Sequence, residues 1–195
     1  MTLDRSNPAT LGVLGLLSGG VAWGLIMLTA LLPSGTEVGA DALRVVPGLA
    51  FGLIVGSLWR RRGMASRGVV LGYTLASGLA YFVAEQFALD MYDRLSGILP
   101  GDWRLVLDGI LAGLIGSCLL GVATVPLLRV PYPSALGWPV FAGSAAGAVL
   151  PLINLFEGWA GGYLLFFVVW QGAYAASLAR LQPGLVPADQ AASVG

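Results

Sequence analysis

The sequence predicts an all-α integral membrane protein, a single domain of six transmembrane helices packed closely through glycine. Three observations carry that prediction. Of the 195 residues, 57% are hydrophobic and only 10% are charged, with a mean hydropathy of +0.84. Soluble domains carry roughly 25% charged residues, and so few charges cannot wet a surface of this size, whereas lipid wets apolar side chains. The apolar residues also fall into six runs near the ~20 residues that cross a bilayer. Finally, the 29 glycines lie mostly inside those runs, where association depends on close packing rather than hydrophobicity.

The first run spans about 10–32. It exceeds the h-region of a signal peptide, about 7–15 residues, and Asp4 offsets Arg5 ahead of it, so a retained helix is expected. The second spans about 43–59, with Arg44 at its edge. The third spans about 68–89. Beyond it, Phe87, Met91, Leu95 and Ile98 share one face, which predicts an amphipathic extension ending at Pro100-Gly101. The fourth spans about 105–128, with Cys118 as a small packing residue and Pro126 near its end. The fifth spans about 136–156 and is expected to kink at Pro139 and Pro151. The sixth spans about 159–180, and Glu157-Gly158 alone separate it from the fifth, which predicts a tight hairpin. Trp103, Trp138 and Trp159 stand near span ends, where interfacial tryptophans collect. Short tails, 1–9 and 181–195, complete the chain.

Arginine placement predicts orientation. Arg60, Arg61, Arg62 and Arg67 fill the connection between spans two and three, which the positive-inside rule puts in the cytoplasm. Six crossings then place both termini inside, together with Arg5, Arg129 and Arg180, in a bacterial-type inner membrane. Glu37, Asp41, Asp90, Asp93, Asp102 and Glu157 gather outside with Arg44, Arg94 and Arg104.

Many glycines recur every four residues: Gly48, Gly52 and Gly56 in span two, and Gly143 and Gly147 in span five. That spacing puts them on one helix face. Such a groove serves either packing within the bundle or docking of a second copy or another membrane subunit, with span two the best docking candidate. A shift of 97 residues aligns Gly12 with Gly109 and Gly19 with Gly116, and a shift of 91 aligns Gly52 with Gly143. This is a faint three-plus-three pattern, and inverted repeats of that kind occur in transporters.

Span three carries the most chemistry. Tyr73, Ser77, Tyr81 and Glu85 form a four-residue polar stripe, while Val69, Leu75, Leu79 and Val83 are expected to face lipid. Span six carries Gln171, Tyr174 and Ser177. Glu85, Asp108 and Asn154 come from three helices to one depth near the outer face. A charged carboxylate at the bilayer centre costs roughly 2.5–3.5 kcal/mol, and less near the edge. The cluster therefore reads as ion-paired interfacial acids or as a water-filled vestibule for a solute. The candidate binding residues are Glu85, Asp108, Asn154, Tyr81, Ser77 and Gln171.

Several functions lose their chemical basis. With neither His nor Lys in the chain, the commonest general base is missing. Ala142-Gly143-Ser144-Ala145-Ala146-Gly147 loosely resembles the serine motif of rhomboid proteases, but nothing in the chain supplies the His that would activate Ser144. His- or Cys-based metal sites are ruled out, no cofactor motif is present, and a net charge of zero without a basic arm speaks against nucleic acid. In architecture alone the chain resembles the substrate-capturing S components of energy-coupling-factor transporters, which have six helices, both termini inside and a solute site near the outer face. No functional residue carries over. The expected function is a non-enzymatic small-solute transport protein or transporter subunit. The alternative is an assembly subunit docking in a larger membrane complex through its glycine faces.

Overall fold

The computed structural model describes residues 8–30, 37–151, 159–178 and 181. These form six helices and, among the described residues, no strand: α1 (Pro8–Ala30), α2 (Glu37–Arg61), α3 (Arg67–Leu95), α4 (Gly101–Leu128), α5 (Tyr132–Gly147) and α6 (Trp159–Leu178). Local chemistry explains several ends. Ser66 caps α3 by accepting a hydrogen bond from the Val69 amide. Arg60 and Arg61 sit in the last turn of α2, where cations suit the helix dipole. Arg129 ends α4 in the left-handed region, φ 53°, so that its amide and that of Val130 both reach the Val125 carbonyl.

Each helix packs on its sequence neighbours, and α6 returns to α1, closing a ring. Glycine contacts give the direction of each pair. Gly48 meets Ser77 and Tyr81, and Gly56 meets Val70, so α2 and α3 run antiparallel. Gly15 meets Gln171 while Gly19 meets Val168, so α1 and α6 do too. Gly109 abuts Gly147 and Gly121 abuts Ala135, an antiparallel α4–α5 pair. The closest pairs, α1–α6, α2–α3 and α4–α5, alternate around the ring. A three-plus-three repeat would instead make α5–α6 the counterpart of α2–α3. The aligned Gly12 and Gly109 also have non-equivalent neighbours, α6 for the first and α5 for the second.

Aromatic rings fill the centre. Trp59 and Tyr73 lie 4.6 Å apart, Trp170 stacks on Tyr174 at 5.8 Å, and Phe51 meets Tyr174 edge-on at 5.9 Å. Polarity is inverted relative to a water-soluble bundle. Ser18, Ser77, Ser117, Thr124, Gln171 and Ser177 are buried, while Leu17, Leu53, Leu71, Leu75, Leu79, Val122 and Phe141 are exposed. Among the described residues, two helices, Arg67–Leu95 and Gly101–Leu128, are long and apolar enough to cross a membrane. Ala9–Leu25 and Leu164–Leu178 are shorter apolar stretches.

Three expectations need correction. Val69 does not face outward with Leu75, Leu79 and Val83; it packs against the buried core. The fifth helix ends at Gly147, and Pro151 lies in a 3₁₀ stretch that begins at Leu150, while 152–156 of the expected span lie outside the described residues. The extension of α3 stops at Leu95, so Ile98 belongs to the turn before Pro100 and is exposed.

The helix ends also sort the charges. At one end lie Arg60, Arg61, Arg62, Arg67 and Arg129, with no acid in the connections 62–66 and 129–131. At the other lie Asp90, Asp93, Arg94, Asp102 and Arg104 around the α3–α4 turn.

Candidate functional site

A cavity of about 440 Å³ opens beside the α3–α4 turn and reaches into the ring. Helix periodicity explains its wall. Tyr81, Ala84, Glu85, Ala88 and Tyr92 lie on one face of α3, and Leu105, Asp108, Ala112 and Gly116 on one face of α4. Phe166 and Trp170 close it from α6, and Leu150 from the turn after α5. Small side chains create the space. Ala84 and Ala88 stand opposite Ala112, Gly113 and Gly116, so the helices are apposed without side chains large enough to fill the gap. The volume falls within the range of small-molecule sites, roughly 300–1,000 Å³.

Polar groups are few and concentrated. Glu85 and Asp108 lie in the wall, and Asp102 stands exposed at the mouth. Asp108 is 4% exposed, and its Oδ1 has no hydrogen-bond partner among the described residues. The indole N–H of Trp170 likewise has no acceptor among them. Of the nearby cations, one is paired with an acid and the other borders the cavity through Tyr92, its Nε unpartnered among the described residues. Arg94 Nε donates to Asp90 Oδ2 at 2.8 Å, which pushes its guanidinium further toward the protonated form. Arg104 Nη2 donates to the Tyr92 hydroxyl at 2.7 Å, and its guanidinium carbon lies 3.9 Å from the Tyr92 ring centre. Among the described residues, no three His, Cys, Asp or Glu side chains converge as a metal site.

The polar stripe of α3 divides between two environments. Residues four apart turn by about 400°, so each step drifts by about 40° around the helix. Tyr81 and Glu85 therefore line the cavity, while Ser77 faces Gly48 and Gly52 of α2 and Tyr73 faces Trp59. Ser77 is fully buried in that seam and does not reach the cavity. Gln171 follows Trp170 by one residue, about 100° around α6, and so turns toward α1 and α2. It accepts from Ser18 and donates to the Pro47 carbonyl at 3.3 Å. Of the six sequence candidates, Glu85, Asp108 and Tyr81 come together, Ser77 and Gln171 do not, and Asn154 lies outside the described residues.

Phe166, Trp170 and Tyr92 were not among the sequence candidates. A signal for them existed in the small residues at 84, 88, 112 and 116, which mark a gap between two adjacent helices. Finding the rings that close this gap required knowing that α6 faces it.

Comparison with protein families, with curated proteins and with solved structures finds no match to this chain.

Proposed function

We propose that the chain is a six-span protein of a bacterial-type inner membrane and a small-solute transport protein, either a carrier or the substrate-binding membrane subunit of one. The observation that carries the reading is a mostly apolar cavity holding a buried, unpartnered carboxylate, Asp108, near one end of a bundle whose exterior is leucine-rich. Exposed Leu71, Leu75 and Leu79 beside buried Ser77 and Gln171 suit a lipid environment and would cost solubility in water. With the arginine-rich end inside, both termini are cytoplasmic and the cavity opens outward. Intramembrane acids commonly mark solute or ion pathways. The role is a binding one, since the chain has no His and no recognisable nucleophile–base pair.

The test is to purify the chain from its host's membranes into lipid nanodiscs, incubate it with soluble host-cell extract, then identify retained small molecules by mass spectrometry. A solute present with the wild-type protein and lost from both Asp108→Asn and Ala112→Phe supports the reading. Equal retention by all three proteins, or none by any, sinks it.

A second reading, docking within a larger membrane complex, draws on one observation. Among the described residues, Gly20 and Gly24 of α1 have nothing within 4 Å opposite them, unlike Gly48, Gly52, Gly143 and Gly147, which abut neighbouring helices. This moves the candidate docking face from the second helix to the first. Gly20→Leu would then dissociate a co-purifying partner or second copy and leave solute retention intact.

A further inference from the structure

The Asp108 carboxylate constrains what the cavity can hold. It lies seven residues into α4, about 10 Å from the helix start at 1.5 Å per residue. It is 4% exposed, lines the cavity, and leaves Oδ1 unpartnered among the described residues. A buried carboxylate persists when it is paired, hydrogen-bonded or protonated. None of the described side chains lining the cavity is basic; Arg94 is paired with Asp90, and Arg104 donates to the Tyr92 hydroxyl rather than to Asp108. Among the described residues no cation pairs with Asp108, so a positively charged occupant would supply a counter-charge.

The rest of the wall decides among cations. A bare divalent ion needs about six oxygen ligands, and among the described residues no three acids converge; beside Asp108 and Glu85 the wall is mostly Ala, Gly, Leu and aromatic side chains. Such a surface solvates hydrocarbon and offers aromatic rings, which attract ammonium groups. An anion would meet the Asp102 and Asp108 carboxylates, with no basic side chain among the described residues of the wall.

We infer that the cavity binds an organic cation: a small molecule bearing an ammonium group on an apolar body, with Asp108 as its counter-ion and Trp170, Phe166 and Tyr81 as its aromatic wall. This inference rests on the small-solute reading and adds the class of solute.

The experiment is calorimetric titration of the full-length chain in nanodiscs with probes that differ chiefly in charge. Choline and benzyltrimethylammonium are the cations, 3,3-dimethylbutanol is the uncharged counterpart of choline, and 3,3-dimethylbutanoate is an anion of similar shape. The expected result is binding of at least one cation at least tenfold tighter than either comparator. That preference should be lost in Asp108→Asn and kept in Asp102→Asn at the mouth. Ala112→Phe, which fills the cavity while keeping every charge, should abolish binding and so separates occupancy from folding. Equal or tighter binding of the alcohol or the carboxylate, or a cation preference unchanged in Asp108→Asn, overturns the cation assignment. So does binding by none of the probes. If a neutral or anionic metabolite is still retained in an Asp108- and Ala112-dependent way, only the solute class falls. If nothing is retained either, the transport reading falls with it.

Discussion

Ser18 of α1 shares its hydroxyl hydrogen between the Gly15 carbonyl and the side-chain oxygen of Gln171 on α6, although 153 residues separate the two side chains. The Gln171 amide nitrogen also donates to Pro47 of α2. One buried amide thus ties three helices together where the ring closes. Replacing it by Leu removes both interhelical bonds and leaves the Pro47 carbonyl without that donor. Interhelical hydrogen bonds in membranes are worth about 0.6 kcal/mol each, with measured maxima near 1.7. Gln171→Leu should cost about 1–2 kcal/mol, seen as a lower midpoint in thermal unfolding of the nanodisc-embedded protein. Gln171→Glu keeps the acceptor for Ser18, and its protonated carboxyl can still donate one hydrogen bond to Pro47, so its loss should be smaller than that of Gln171→Leu.

Glycines at the tight seams should be intolerant in proportion to what stands opposite them. A Cβ on Gly52 would lie 2.6 Å from the Thr74 Cα, where backbone would have to move. Overpacking of this kind costs about 1–3 kcal/mol, so Gly52→Ala should lower the unfolding midpoint markedly. Gly20 has nothing within 4 Å, and Gly20→Ala should be neutral or raise stability by up to about 1 kcal/mol through helix propensity. Equal effects at the two positions would mean that α2 and α3 are not in backbone contact.

Arg129 occupies a conformation in which most side chains clash with their own backbone, φ 53° and ψ 43°. Glycine adopts it freely, at the expense of a more disordered unfolded chain. Arg129→Gly should therefore stabilise by roughly 0.5 kcal/mol, whereas Arg129→Ala should bring no gain. A gain in both variants would point to relief of charge rather than of backbone conformation.

The proposed sidedness can be read with thiol chemistry. In a Cys118→Ser background, Gly97→Cys lies in the α3–α4 turn with open space around it, and Gly68→Cys lies exposed at the start of α3. A membrane-impermeant maleimide should label Gly97→Cys in intact spheroplasts and Gly68→Cys only after permeabilisation. The reverse pattern would put the cavity mouth in the cytoplasm.

Sequence alone determined the helices and much of the site. Apolar run length located all six helices, but α2 starts six residues before its run, α3 continues six past its own and α5 ends at Gly147, because a continuous apolar segment does not reveal where its hydrogen-bond ladder starts or stops. The two acids of the wall were legible because a carboxylate in an apolar span is conspicuous by itself. Tertiary structure alone decided which face each polar residue serves. A spacing of four leaves a drift of about 40° per step, enough over the stripe of α3 to send Ser77 into a glycine seam and Glu85 into the cavity. It also decided that α6 returns to α1, an arrangement that brings Trp170 against the gap left by Gly116. The sequence lists chemical groups along a line; a cavity exists only where helices distant along that line pack imperfectly, and that depends on the whole ring at once.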